Sequence, residues 1–483
     1  MDKKFKLNFL KDSMATSIGQ IATIGIQFLS FMIIARISSK EVFGLYSLSM
    51  AICLLFRIIG GLGIDVTLTK EISTKNSGKH VYFNAFLIRN FFLLFIGVFY
   101  LIFASSILPL LDKDLLDVKY LILIISILWG NRELSLRNLQ AYKAFRALAF
   151  LQIITALLKL GLYLILFLFF NIFDLQKLLI IEVIYLLIAI LSQYFVSRKV
   201  SDQTAKLEFI ILFRLLKFSL YLYLSDILSI INTRANAFLI ASSLGPISIA
   251  YYEIANKIPE AFSRLFVSFL NVFFPHITEL FSEKKLNDAQ DFIEKSLLFF
   301  SITISFFATS IMIFQYEITE LFFSAKYIEA AIALSLMVLS FLLQGLGTIL
   351  GYSLVADGHP KSTLLIDLPG MLLNIILGLF FIPTFGFMGA VYSLICGRFL
   401  RLLVSIYSIR KIQIHLKLME IARPILLSVF FYGIFYLLIP ANIYIKILSL
   451  FFYIFINIIV FKKFIYSITN LLLLLKSGKK ITD

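Results

Sequence analysis

Long apolar runs separated by short polar connections set the rhythm of this chain. An α-helix needs about 20 apolar residues to cross a bilayer core, and fourteen runs approach or exceed that length. They lie near 14–37, 43–64, 82–108, 118–138, 147–170, 176–197, 215–241, 247–275, 292–315, 329–356, 362–384, 387–409, 422–440 and 443–467. The pattern predicts an all-α polytopic membrane protein with about 14 transmembrane helices. The fourth run ends rich in Arg and Asn, and the last is broken by Lys462 and Lys463, so these two are the least regular. The connections are too short to hold a soluble domain.

Composition points the same way. The 483 residues are 60% hydrophobic and 15% charged, whereas soluble domains average about 45–50% and about 25%. The net charge of +16 is distributed by position. With a cytoplasmic N-terminus, every second connection collects Lys and Arg, beginning with Lys3, Lys4, Lys6 and Lys11, then Lys70, Lys75 and Lys79. The opposite connections hold only Lys40, Lys113, Lys119, Lys177, Lys326 and Lys446. This is the positive-inside distribution, and it places both termini in the cytoplasm. The charge is thus topogenic and lipid-facing; no basic groove interleaved with aromatics is legible, so membrane lipids and not nucleic acid are the expected partners. The basic, amphipathic start "MDKKFKLNFLKDS" lacks a following small-residue cleavage site, so the first helix is expected to stay as an anchor.

Several chemistries find no support. There is no G-x-x-x-x-G-K-[ST] loop for ATP and no H-E-x-x-H grouping. Cys53 and Cys396 sit within apolar runs without disulfide or metal spacing. No paired-carboxylate or Ser/His/Asp set is legible. No metal or cofactor is expected, and the reading is a transporter and not an enzyme.

Two stretches resemble each other. "SSKEVFGLYSLSMAI" (38–52) and "LGPISIAYYEIANKI" (244–258) align Tyr46 with Tyr252, an offset of 206. "LQAYKAFRAL" and "SLVADGHPKST" align Ala141 with Ala356, an offset of 215. Similar offsets predict a six-helix unit used twice: a lobe over 1–205, a second over 206–412, and two extra helices with a basic tail over 413–483. Repeats of this kind place a transporter's substrate site between the halves.

Ionisable residues at membrane depth are expensive and mark functional candidates. The eighth run carries Glu253, Lys257, Glu260 and Arg264, spaced 4, 3 and 4, which puts them within roughly 60° of one helical face. Ser268 and Asn271 extend the face, and Pro259 interrupts it as a candidate hinge. Two readings stand: a ladder of i,i+4 pairs that neutralises itself, or one wall of a hydrated cavity. Arg57, Arg234, Lys257 and Arg264 are the candidates for binding an anionic, phosphate-bearing ligand. Asp226, Glu253 and Glu260 would tune those cations or take coupling ions. The first run adds a polar stripe, Ser13, Thr16, Gln20, Thr23 and Gln27, that either lines the cavity or bonds neighbouring helices. Lys159, Glu182 and Asp367 are also at depth, while Arg89, Arg398 and Arg401 lie near helix ends and are expected to snorkel.

The stretch Gly345 to Phe399, with Asn374 and the turn "IPTFGFMGA", resembles the polysaccharide-transporter branch of the multidrug/oligosaccharidyl-lipid/polysaccharide exporters. "ARISSKEVFGLYSLSMAI" and "GGLGIDVTLTKEIS" resemble the opening pair of that family. The first copy of its turn lacks the Gly-Pro that the second keeps as Gly245 and Pro246. The resemblance implies a MATE-like pair of six-helix bundles around a cationic cavity. It implies a Wzx-type flippase, in the bacterial inner membrane, that moves undecaprenyl-pyrophosphate-linked oligosaccharide repeat units of O-antigen or capsule type by alternating access. It also implies a polysaccharide polymerase and a chain-length regulator as working partners. The family has no invariant catalytic motif, so no residue role transfers from it. The competing readings are a cation-coupled multidrug antiporter or a lipid II flippase of the same superfamily and, more remotely, a membrane-embedded polysaccharide polymerase.

Overall fold

A computed structural model of the chain describes residues 3–74, 80–169, 173–200, 206–359, 361–437 and 443–462. Lys75, Lys79 and the basic tail beyond Lys462 lie outside the described residues, as do the side chains of Ser13 and Thr16. The helices are α1 (Lys3–Ile37), α2 (Lys40–Gly61), α3 (Ile64–Thr74), α4 (Val81–Ile107), α5 (Lys119–Ala141), α6 (Phe145–Phe169), α7 (Leu175–Val200) and α8 (Phe209–Leu244). They continue as α9 (Pro246–Ser282), α10 (Leu286–Ile313), α11 (Gln315–Phe323), α12 (Ala331–Ala356), α13 (Lys361–Phe385), α14 (Phe387–Ile409), α15 (Leu418–Leu437) and α16 (Ile443–Val460). Each of the fourteen apolar runs is one of these long helices over its described part. The short α3 and α11 were not announced by apolar length.

Among the described residues, twelve helices are long and apolar enough to cross a membrane. The two expected runs outside that set are α5 and α15. Helix α5 carries Lys119, Arg132, Glu133 and Arg137, which lower its hydropathy. Helix α15 is described only as far as Leu437, short of the expected end. The chain is therefore an all-helical, multi-pass membrane protein. Phe91, Phe95 and Ile102 on α4 are about two-thirds exposed, the condition of side chains that face lipid and not a protein core.

The chain divides into two compact units. The first comprises Met1–Phe269, Thr319–Ala333 and Met371–Gly397; the second comprises Leu270–Ile318, Leu334–Gly370 and Arg398–Asp483. In the first unit α1 packs on α6, α5 on α7, and α2 on α4, α5 and α8. One α2 segment, Phe43 to Ser49, is buried on every face. In the second unit α10 packs on α15 and α16, with Ile313, Phe431 and Tyr453 forming a small core.

The two similar stretches meet within the first unit. A Cβ on Gly44 of α2 would overlap the carbonyl oxygen of Pro246 at the start of α9. Beside this contact Lys40 Nζ donates to Tyr251 Oη at 2.5 Å, and Tyr251 Oη donates to Glu329 Oε1 at 2.8 Å. The contact is backbone against backbone, so a side chain at Gly44 has nowhere to go. Gly44→Val is expected to destabilise the protein by about 1–3 kcal/mol or more, read as a lower unfolding temperature in detergent.

The turn in "IPTFGFMGA" has an equally local cause. Gly386, at φ +64°, separates α13 from α14 in the left-handed region, where an L side chain is strained. A Cβ on Gly389 would overlap the Phe381 carbonyl, so the two helices can fold back tightly only with glycine there.

Three arginines expected to snorkel are held inside instead. Arg89 is 1% exposed and donates to both oxygens of Asp65, at 2.5 and 3.0 Å. Asp65 stands on α3, which begins directly after the left-handed pair Leu62 and Gly63 ends α2. In the second unit Arg401 Nε donates to Asp367 at 2.6 Å, and its Nη1 to the Gln344 carbonyl and the Thr348 hydroxyl. Arg398 Nη1 donates to Ser340 Oγ at 2.5 Å. A guanidinium at membrane depth prefers such partners over a long reach to water.

Candidate functional site

A cavity of about 210 Å³ lies within the first unit, lined from α1, α2, α5, α6, α7, α8 and α9. Five of its lining residues are cations: Arg132, Lys159, Arg234, Lys257 and Arg264. Three are carboxylates: Glu182, Glu253 and Glu260. The cavity wall thus carries an excess of positive charge.

Each carboxylate is already engaged. Glu260 is the centre of the α9 comb: Lys257 Nζ lies 3.1 Å from one of its oxygens and Arg264 Nη2 2.8 Å from the other. Glu253 accepts from Arg234 Nη1, across on α8, at 3.0 Å. The comb is therefore a partial ladder that also lines the cavity. Its pairing differs from the i,i+4 scheme at one point, because Lys257 turns to Glu260 and leaves Glu253 to α8. Arg264 Nη1 also donates to Gln27 Oε1 on α1 at 2.6 Å, and Lys257 Nζ lies 4.3 Å over the Phe31 ring.

The deepest part of the wall is Glu182. It is 1% exposed, and it accepts from Lys159 Nζ at 2.6 Å, Tyr46 Oη at 2.5 Å and Tyr163 Oη at 2.6 Å. Lys159 also lies over the Tyr185 ring at 5.2 Å. Burying one carboxylate requires this much satisfaction. Lys159 and Glu182 are each visible as charges in apolar helices, but their pairing across α6 and α7 has no spacing that reveals it.

The sequence that builds this interior is matched by a family model. The model, described as polysaccharide biosynthesis protein, matches residues 9–281, more than half of the chain. The chain belongs to the polysaccharide biosynthesis protein family. No curated protein matches the sequence significantly. Three solved structures show the fold that this polysaccharide biosynthesis protein adopts. One is the lipid II flippase MurJ in an inward closed conformation, with 16% identity, TM-score 0.71, and coverage of 94% of this chain and 100% of that one. A second is a multidrug resistance MATE family transporter of the MOP superfamily in an inward-facing conformation, with 14% identity, TM-score 0.66, and coverage of 84% and 98%. The third is a MOP superfamily transporter from Pyrococcus furiosus described by a binding pocket of reverse polarity, with 15% identity, TM-score 0.57, and coverage of 86% and 96%.

Within this family member the sequence-derived candidates divide by position. Arg234, Lys257, Arg264, Glu253, Glu260 and Gln27 line the first cavity. Gln20 and Thr23 line a second cavity nearby, which Gln27 and Arg264 also border. Arg57 lines neither; its guanidinium lies 5.5 Å over the Trp129 ring and 3.8 Å from Glu133. Asp226 is exposed on α8, and Asn271 is exposed on the α9 portion that belongs to the second unit. Pro259 is buried, and α9 is helical on both sides of it. Sequence reasoning missed Arg132 and Trp129, because Arg132 reads as one more topogenic cation at the end of the fourth run. The available signal was the apolar shortfall of that run, "ILWGNRELSLRN", which a cavity wall tolerates and a lipid-facing helix does not.

Proposed function

We propose that this protein is a flippase for undecaprenyl-pyrophosphate-linked oligosaccharide repeat units, of O-antigen or capsule type, working by alternating access in the bacterial inner membrane. The observation that carries the reading is the cation excess of the first cavity. Arg132, Arg234, Lys257 and Arg264 present guanidinium and ammonium donors suited to a pyrophosphate, while the polyprenyl tail remains in lipid. Family membership supports this class over a drug antiporter, whose cationic cargo a positive wall would repel. On this reading Glu253 and Glu260 tune the cations, both termini are cytoplasmic, and a polymerase and chain-length regulator act next on the exported unit. Lipid II is the second substrate reading, favoured by the likeness to MurJ.

Complementation tests both. Deletion of the gene is expected to abolish surface polysaccharide, and expression of this chain to restore it. If the chain instead restores growth to cells depleted of their lipid II flippase and leaves surface glycan absent, lipid II is the cargo. If it does neither at normal protein level, the flippase reading fails.

A further inference from the structure

The second cavity, about 410 Å³, is lined in the first unit from α1, α5, α6 and α9 and differs in character from the first. Four glutamines border it: Gln20, Gln27, Gln140 and Gln152. The side chains of Gln20 and Gln152 make no hydrogen bond to any described residue. Its own cation, Arg137, is tied to Glu133 at 3.4 Å and donates to Gln140 Oε1 at 3.0 Å. Phe145 adds an aromatic face.

We propose that this second cavity is a carbohydrate subsite that receives the sugars of the lipid-linked substrate, with Gln20 and Gln152 as specificity-determining residues; the inference rests on the flippase reading above. A carboxamide donates and accepts at once, which matches adjacent hydroxyls on a sugar ring, and an aromatic face suits the ring's C–H side. The volume lies within the roughly 300–1,000 Å³ common for small-molecule sites, whereas the first cavity is too small for an oligosaccharide. The covalent chemistry of the substrate requires the two sites to adjoin, because the first sugar is bonded directly to the pyrophosphate. They do adjoin: Gln27, Arg132 and Arg264 border both.

The test uses the one tryptophan of the chain, Trp129, which lines the first cavity. Purified full-length protein in nanodiscs is titrated, by Trp129 emission, with undecaprenyl pyrophosphate and with the glycolipid extracted from the deletion strain. The wild type is expected to bind both. Q20A/Q152A is expected to bind the glycolipid about tenfold or more weakly, as loss of one to two hydrogen bonds implies, and undecaprenyl pyrophosphate unchanged. Equal binding of the glycolipid by wild type and variant overturns the subsite and leaves the flippase reading standing. Equal weakening of both ligands also overturns it, since the effect is then not on the sugar. Failure of the wild type to bind either ligand overturns the subsite together with the function it rests on. Should the double variant not purify as a monodisperse species, Q20A alone, at an exposed position, carries the same comparison.

Discussion

Glu182→Ala is expected to destabilise the protein by about 3–5 kcal/mol, the usual consequence of removing one partner from a buried ion pair. Lys159 would keep its ammonium in a wall built around a carboxylate, and the hydroxyls of Tyr46 and Tyr163 would lose their common acceptor. Lys159→Ala should be similarly harmful, because it leaves the 1% exposed carboxylate with only neutral donors. The double variant Lys159→Met/Glu182→Gln is expected to recover much of the loss, since a buried pair replaced by neutral groups of similar size is often nearly neutral. Unfolding midpoints in detergent, followed through Trp129, give the coupling directly. A Glu182→Ala midpoint equal to that of the wild type would mean that water or another acceptor already solvates the lysine.

The second large effect is on transport. Arg234→Ala combined with Lys257→Ala removes two of the cations of the first cavity, and surface polysaccharide is expected to fall at least about tenfold at normal protein level. Charge-assisted hydrogen bonds contribute about 1.5–3 kcal/mol each, so one lost bond already accounts for that factor. Arg234→Lys separates charge from geometry. It retains the ion pair to Glu253 but lacks the planar fork that holds two phosphate oxygens, and an intermediate phenotype is expected. Wild-type glycan levels in the Arg234→Ala/Lys257→Ala variant would remove both residues from the site.

What could be read in the sequence depended on whether the information lay within one helix. Apolar length located every long helix, and the 4, 3, 4 spacing put Glu253, Lys257, Glu260 and Arg264 on one face, because both are properties of a single segment. Partners on different helices were invisible. Lys159 with Glu182, Arg401 with Asp367 and Arg89 with Asp65 all involve charges that stand out in apolar runs, yet nothing in the spacing joins them. Helix α3, which supplies Asp65, is too short to show as an apolar run. Lys446 makes the same point from the other direction. It counts as an outer-connection charge in the sequence, but it is 8% exposed and lies 2.5 Å from Glu317. Periodicity also names a face without naming what it faces, and so it grouped Asn271 with residues whose cavity it does not border.

The pairing inside the first cavity has a kinetic consequence. Arg234, Lys257 and Arg264 each already hold a carboxylate, so the polyanion of the proposed substrate would have to compete for cations that are already paired and would not meet bare fixed charge. The two carboxylates stay in the wall, so the attraction that the cations offer a polyanion is offset in part by the partners that Glu253 and Glu260 lose. Such an offset would keep the depth of the binding well modest in both directions. A carrier has to let go of its cargo as readily as it takes hold, and on the proposed flippase reading Glu253 and Glu260, at about 3 Å, would reclaim the cations when the cargo departs.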